Sequence, residues 1–397
     1  MKHLKGRAIV GQSGGCTAVI NQSLAGVVGA ALASKSITDV WGMLHGMRGF
    51  LAENFVDLAA QPKTLFRNVC LLPSAALGSS RHKLQNSEEP QVVRNLKKAN
   101  IRYLFMIGGN DTAETILRIA NAAERENYEL RAIHIPKTID NDLVETDHSP
   151  GYGSVARFAA ITTQEAGLDT KAMRHVDPVK IIELMGRNSG WIVAASTLLK
   201  QTKDDPPHLL LLPEIPFDER DFLKHVENSL MRIGHCVVVI SETIRDARGQ
   251  RIGAMREGVT EDPFGHQYVE GTANVLTRLV EKNLKVRARY DKPGTIQRMS
   301  IPYISGVDQK EAYEAGRHAV RWALKGQSKV MVSLVRKTGT QYGMDYKPVA
   351  LEKIPGREYH MPDSFLSADK THTTSAFLKY ALPLIGSPLP QFPSLKK

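Results

Sequence analysis

Apolar runs of strand length alternate along the chain with amphipathic stretches of helix length. Residues 7–11 (Arg-Ala-Ile-Val-Gly) predict a first strand, and the small-residue stretch 21–34 a helix behind it. Residues 101–107 (Ile-Arg-Tyr-Leu-Phe-Met-Ile) predict a buried strand, and 112–126 its helix. Further strands are expected at 130–135, 179–184, 209–212 and 236–240, with helical patterns between most of them. This alternation predicts an α/β fold with mostly parallel sheets and helices on both faces. In such sheets ligands bind beyond the carboxyl ends of the strands. The segments just after these strands are rich in glycine and polar residues. No internal repeat of solenoid period is visible. From about residue 343 onward proline and polar residues are more frequent, which predicts a covering extension rather than another sheet unit.

A length of 397 residues exceeds one ordinary domain and predicts two packed lobes. With 42% apolar and 23% charged residues, the chain has enough apolar side chains for sizeable cores in a soluble protein. No run of about 18 apolar residues occurs, so neither a transmembrane helix nor a membrane partner is expected. The N-terminus lacks a signal-peptide pattern. Cys16, Cys70 and Cys236 form neither a metal-ligand spacing nor a disulfide framework, which fits a reducing cytoplasm. Lysine and arginine number 52 against 41 acidic residues, a net charge of +11. The basic residues are scattered, without a tail or a nucleic-acid module signature. They therefore predict small phosphorylated ligands rather than nucleic acid.

Four strand ends carry candidate chemistry. Residues 11–15 (Gly-Gln-Ser-Gly-Gly) give a loop whose backbone, including Gly14 and Gly15, can approach an anion closely. The same residues match the nucleophile elbow of serine hydrolases around Ser13, although only one strand precedes them. A plain tight turn is the third reading. No Walker lysine follows, so this is not a P-loop. Residues 108–112 (Gly-Gly-Asn-Asp-Thr) open a helix. Asp111 and Glu114 have capping-box spacing, while Gly108 and Gly109 suggest a phosphate cradle, and both readings stand. Residues 136–142 (Pro-Lys-Thr-Ile-Asp-Asn-Asp) crowd Asp140, Asn141, Asp142 and Lys137 together. One carboxylate would accept a proton and the other help hold magnesium; the alternative is an Asx-turn loop with solvated charges. Residues 183–191 (Glu-Leu-Met-Gly-Arg-Asn-Ser-Gly-Trp) place Arg187, a forked phosphoryl clamp or a surface arginine, after Gly186. Arg298 and Glu242 are ambiguous taken singly.

In this order the segments resemble the phosphofructokinase family. Its landmarks are a Ser-Gly-Gly loop, a Gly-Gly-(Asp/Asn) loop, a Thr-Ile-Asp-Asn-Asp loop, a Met-Gly-Arg turn and an Ile-Gln-Arg segment. They correspond to residues 13–15, 108–112, 138–142, 185–187 and 296–298. Residues 78–81 (Gly-Ser-Ser-Arg) resemble the family's donor arginine loop, ending at Arg81. The resemblance implies two Rossmann-like three-layer lobes with the active site in the cleft between them. Residues 1–151 plus about 297–347 would bind the phosphate donor. Residues 152–296 plus about 348–397 would bind the sugar phosphate and include the C-terminal extension.

The resemblance also implies roles. Asp140 would be the general base on the sugar C1 hydroxyl, Thr138 would touch the transferred phosphoryl group, and Arg187 and the Gly15 amide would stabilise its charge. Gly14, Gly15, Arg81, Gly109, Asp111 and Lys137 would bind the donor. Thr138, Asp140, Asp142, Met185, Gly186, Arg187, Glu242, Arg289 and Arg298 would bind fructose 6-phosphate. Arg289 would reach the site of a neighbouring subunit, implying a homodimer or homotetramer. Asp142 and Asn110 would place Mg2+. Lys137, where ATP-using members carry glycine, and Asp111, where they carry a later glycine, resemble the pyrophosphate-dependent members. A carboxylate at Asp111 would repel a nucleotide's α-phosphate, and Lys137 would add the charge that pyrophosphate needs. The implied reaction is reversible phosphorylation of fructose 6-phosphate to fructose 1,6-bisphosphate. The alternatives are ATP as donor, the same chemistry on sedoheptulose 7-phosphate, suggested by Thr295 and Met299–Ser300, or a non-catalytic sugar-phosphate-binding homologue.

Overall fold

The computed structural model of the chain describes residues 4–253 and 271–393. Its strands, in chain order, are β1 (Gly6–Gln12), β2 (Ile37–Met43), β3 (Phe55–Asp57), β4 (Ile101–Gly108), β5 (Arg131–Pro136), β6 (Val179–Leu184), β7 (Leu209–Leu211), β8 (Cys236–Ser241), β9 (Ala288–Asp291), β10 (Val330–Arg336) and β11 (Met344–Ala350). The described chain divides into two compact units. One runs up to Gly151 and adds Arg298–Tyr359; the other comprises Tyr152–Gln297 and the chain from His360 onward.

The first unit is built on a seven-stranded sheet in the order β11-β10-β5-β4-β1-β2-β3. Pairings among β10, β5, β4, β1 and β2 are parallel, and only the edge pairs β10–β11 and β2–β3 are antiparallel. β1 and β4 are buried almost throughout because helices cover both of their faces. Alternate side chains separate into two cores. Ala8, Val10, Phe105 and Ile133 face the helices Ile20–Leu32 and Gly306–Leu324. Ile9, Leu104, Met106 and Ala132 face Glu89–Lys98 and Asn110–Arg125. Helices Ile20–Leu32 and Gly306–Leu324 cross tightly. A Cβ on Gly26 would lie 2.0 Å from the Tyr313 carbonyl oxygen, and one on Gly316 2.2 Å from that of Ser23.

Strand order reverses between β1 and β4, since the chain leaves β1 toward β2 and leaves β4 toward β5 on the opposite side. Their following loops therefore diverge and open a crevice, which is where doubly wound sheets bind ligands. The strand ends are level: Gln12 pairs with Ile107 and Gly108 with Pro136. Three glycine- or acid-rich loops thus emerge side by side.

The second unit holds a fully parallel sheet, β7-β8-β6-β9, with Val179, Ile181, Val238 and Ile240 in its core. Leu184 pairs with Ser241, so the turn after β6 lies beside Glu242. One expectation is corrected here. Residues 344–350 are not a covering extension but an antiparallel edge strand, in register with β10 from Val330↔Ala350 to Arg336↔Met344. Exposure along β11 alternates over Met344–Lys347, and Pro348, lacking an N–H, is tolerated at a sheet edge. Farther along, Phe365, Phe377 and Tyr380 pack around Trp191, with ring centroids 5.9, 6.5 and 5.4 Å away. The Arg157 guanidinium donates to the carbonyls of Ile385, Gly386 and Pro388.

Candidate active site

In the first unit, the loop after β1 is shaped for close approach. Gly14 has φ +77°, a conformation that favours glycine. Its amide donates to the Ser80 carbonyl at 3.1 Å, and its carbonyl accepts from the Ser79 hydroxyl at 2.7 Å, so residues 78–81 are fastened beside it. A Cβ on Gly14 would lie 3.3 Å from Lys137 Nζ, and one on Gly15 2.7 Å from Arg298 Nη1. Lys137 reaches in from the end of β5. Its Nζ donates to the Gly15 carbonyl at 2.7 Å, and its own amide donates to the Gly108 carbonyl at 2.9 Å. A Cβ on Gly109 would lie 3.7 Å from the Lys137 carbonyl. One lysine therefore joins the loops after β1, β4 and β5.

Lys137 is only 4% exposed. Burial lowers its affinity for a proton, the Arg298 and Arg81 charges push the same way, and Cys16 and Asp140 oppose them; the outcome is a pKa of about 8. Three cations, Arg81, Lys137 and Arg298, gather at glycines that expose backbone. Arg298 Nε is buried with no hydrogen-bond partner among the described residues. This arrangement is suited to a compact, highly charged anion.

The loop from Thr138 to Gly151 carries the acids. It is a turn rather than extended chain: Asn141 has φ +55° and its side-chain oxygen accepts from the Ser149 amide at 3.0 Å. Both ends are pinned. The Thr138 amide donates to the Pro150 carbonyl at 3.2 Å, and Thr138 bridges Gly151 as a parallel pair. The Thr138 hydroxyl accepts from the Asp140 amide at 3.1 Å and also hydrogen-bonds the Asp142 carboxylate. Burial raises the Asp142 pKa and the Glu358 charge adds to this, while the Thr138 hydroxyl and Lys137 act in the other direction.

The capping-box reading of Asp111 and Glu114 fails. The helix starts at Asn110, its N-cap is Gly109, and no side chain caps it. Asp111 instead sits exposed in the first turn, where a carboxylate suits the helix dipole. Asn110 faces the segment after β11. Its amide nitrogen donates to the Arg357 carbonyl at 2.6 Å and its oxygen accepts from the Gly356 amide at 3.0 Å. The Tyr359 amide then donates to the Asp142 carbonyl at 2.7 Å. Residues 356–359 are thereby strapped to two of the loops.

In the second unit, Met185, Gly186 and Arg187 follow β6. The Met185 amide donates to the buried Gln297 side chain at 3.1 Å, which explains the glutamine of the Ile-Gln-Arg segment. Gly186 has φ +121°, and a Cβ there would lie 2.7 Å from the Ser189 carbonyl oxygen. The Glu242 amide donates to the Leu184 carbonyl at 2.9 Å. Burial raises the Glu242 pKa against the pull of Arg187. Arg251 stands near the same group: burial, then Arg245 and Arg187, lower its pKa, and Glu242 opposes them. Arg245 and Arg251 pair across a short antiparallel bridge. No sequence motif marks them; the signal is only that two arginines flank an Asp-Ala-Arg-Gly turn. Arg289 lies apart, 51% exposed on edge strand β9, with Nε 2.7 Å from Asp177 Oδ2.

The structure of a protein from Nitrosospira multiformis titled pyrophosphate-dependent phosphofructokinase superposes with a TM-score of 0.88 at 32% identity, covering 98% of this chain and 94% of that one. The pyrophosphate–fructose 6-phosphate 1-phosphotransferase of Rhodospirillum rubrum is 40% identical over 97% of this chain and 96% of its own length. The protein of the same name from Xanthomonas campestris pv. campestris is 37% identical over 97% and 93%. The family profile described as Phosphofructokinase matches residues 7–323. With that profile running from β1 through β9 and including all five sequence landmarks, the chain belongs to the phosphofructokinase family.

Proposed function

We propose that this chain transfers a phosphoryl group from pyrophosphate to the C1 hydroxyl of fructose 6-phosphate, giving fructose 1,6-bisphosphate and orthophosphate. The carrying observation is Lys137, a buried ammonium bound to the Gly15 carbonyl within a cluster of Arg81 and Arg298. Pyrophosphate offers only phosphate oxygens for recognition, so its site must be dense in cations and exposed amides. The names of the relatives from R. rubrum and X. campestris support the same reading.

Gly14, Gly15, Arg81, Gly109 and Lys137 hold the donor, and Asp111 repels a nucleotide's additional phosphate. Asp140 takes the C1 hydroxyl proton as the sugar oxygen bonds to phosphorus and the bridging P–O bond breaks; orthophosphate leaves. Thr138, the Gly15 amide and Arg187 donate to the phosphoryl oxygens. Met185, Gly186, Glu242 and Arg298 hold the sugar phosphate. With pyrophosphate as donor the reaction runs in either direction.

No group of three or more His, Cys, Asp or Glu among the described residues forms a ready metal site. Magnesium is commonly held by one or two carboxylates plus substrate phosphates, so Asp142, a half-buried oxygen donor hydrogen-bonded by Thr138, fits it. The Asn110 side chain is engaged at both ends by residues 356–357, and the metal role therefore rests on Asp142. When bound, Mg2+ neutralises charge on the phosphates.

We assign the enzyme to the cytoplasm, in keeping with its three free cysteines. It acts as a homo-oligomer in which the exposed Arg289 serves a neighbouring copy. No helix among the described residues is long and apolar enough to cross a membrane. The test is 31P NMR of purified protein with magnesium, pyrophosphate and fructose 6-phosphate. Fructose 1,6-bisphosphate and orthophosphate should appear in equal amounts, and adding both products should regenerate pyrophosphate. No bisphosphate formed from pyrophosphate would overturn the reading.

A further inference from the structure

His148 lies six residues beyond Asp142, in the limb that returns the acid-bearing loop to the fold. It is 2% exposed. Both ring nitrogens face carboxylates: Nδ1 is 2.8 Å from Asp147 Oδ1 and Nε2 is 2.7 Å from Glu311 Oε2. A neutral imidazole has one N–H and satisfies only one of these oxygens; the other would meet it lone pair to lone pair. Two donors require the imidazolium. Charge leads to the same result. Asp147 is paired with Arg336, whose Nη2 lies 2.9 Å from Asp147 Oδ1. Glu311 accepts from the Tyr342 hydroxyl at 2.6 Å. With Arg336 positive and Tyr342 neutral, a positive His148 balances the two carboxylates, and a neutral one leaves a buried negative charge.

The same limb is fastened at other points. Helix Gly306–Leu324 contributes Asp308 one turn before Glu311, and its Oδ1 accepts from the Gly151 amide at 2.8 Å. On the strand side, the Asp147 amide donates to the Leu334 carbonyl at 2.8 Å, and the Leu334 amide donates to the Thr146 hydroxyl at 3.0 Å. These bonds define where residues 146–151 lie. Thr138 and Asn141 in turn bond to Pro150 and Ser149. The placement of the acidic turn is thus passed from the helix and β10 through this limb.

We propose that His148 is a positioning residue for phosphoryl transfer: as an imidazolium wedged between Asp147 and Glu311, it locks the loop that presents Asp140 and Asp142. The proposal rests on the reading of Asp140 as the base, and a non-kinetic arm separates the two. The facing groups, Asp147 and Glu311 with Arg336 and Tyr342 behind them, hold the proton against the pull of burial, which on its own would drive it off, up to a pKa of about 9. Turnover at saturating substrates should therefore fall as pH rises through about 9.

The experiment compares wild type, His148→Gln, Glu311→Gln and the double variant. Its readouts are steady-state kinetics with pyrophosphate and fructose 6-phosphate, and hydrogen–deuterium exchange of the peptide covering residues 138–151. His148→Gln is expected to lower kcat about tenfold or more with KM within about threefold, and to speed exchange in that peptide. The double variant, which removes one charge of each sign, should recover part of kcat. If His148→Gln does not fold, Glu311→Gln alone should slow turnover and shift the alkaline limb to lower pH. Unchanged exchange and unchanged kcat in the single variants would overturn the proposal, as would faster exchange with kcat intact. A wild type without phosphotransfer would overturn the activity reading, and the exchange arm would still decide whether His148 locks the loop.

Discussion

Lys137 is a cation that the fold keeps out of water. Its Nζ is held by the Gly15 carbonyl, and burial with Arg298 nearby brings its pKa to about 8. The charged form dominates below that value and is lost above it. Donor affinity should therefore weaken as pH rises through about 8, seen as a rising KM for pyrophosphate. Lys137→Met should raise that KM by about 100-fold and flatten its pH dependence; a pH dependence identical to wild type would place the titration elsewhere. Asp140 makes a different prediction. Asp140→Asn should cut kcat by about 1,000-fold while leaving binding of fructose 6-phosphate, measured by calorimetry, within a few fold. At this scale the sequence was informative where several chemical types crowd together, as at 136–142. It was silent on Arg245 and Arg251, which meet Arg187 and Glu242 only because the chain doubles back. It gave no sign of the partners of Asn110, which are 246 and 247 residues away.

The elements show why some strands were legible and others not. β4, β5, β6 and β8 are buried on both faces; β8 is a nearly unbroken apolar run, and the others are apolar runs interrupted by one or two polar side chains. β9 and β11 are sheet edges with mostly exposed side chains, so their composition resembles loop. β2 mixes buried and exposed positions and lacks a clean run. The turns after β1 and β6 were legible through glycine, because Gly14 and Gly186 hold a positive φ that favours it. Gly186 illustrates the constraint, with φ +121° and a carbonyl oxygen 2.7 Å from where a Cβ would stand. Gly186→Ala should lower stability by about 1–3 kcal/mol, read as a shift in the urea midpoint, and raise the KM for the sugar phosphate. A variant with both unchanged would show that the turn relaxes freely and does not shape the site.

On the scale of the whole molecule, some of the cations behind the net charge of +11 gather at strand ends. Arg81, Lys137 and Arg298 surround the glycine loop of one unit, and Arg187, Arg245 and Arg251 cluster with Glu242 in the other. Each unit is an α/β sheet whose strand ends carry cations, and the family landmarks are divided between them. Initial rates of fructose 6-phosphate phosphorylation should be measured on one preparation with pyrophosphate and with ATP, each with saturating magnesium. The kcat/KM for pyrophosphate should be at least about 1,000-fold above that for ATP. Equal values, or turnover with ATP alone, would contradict it.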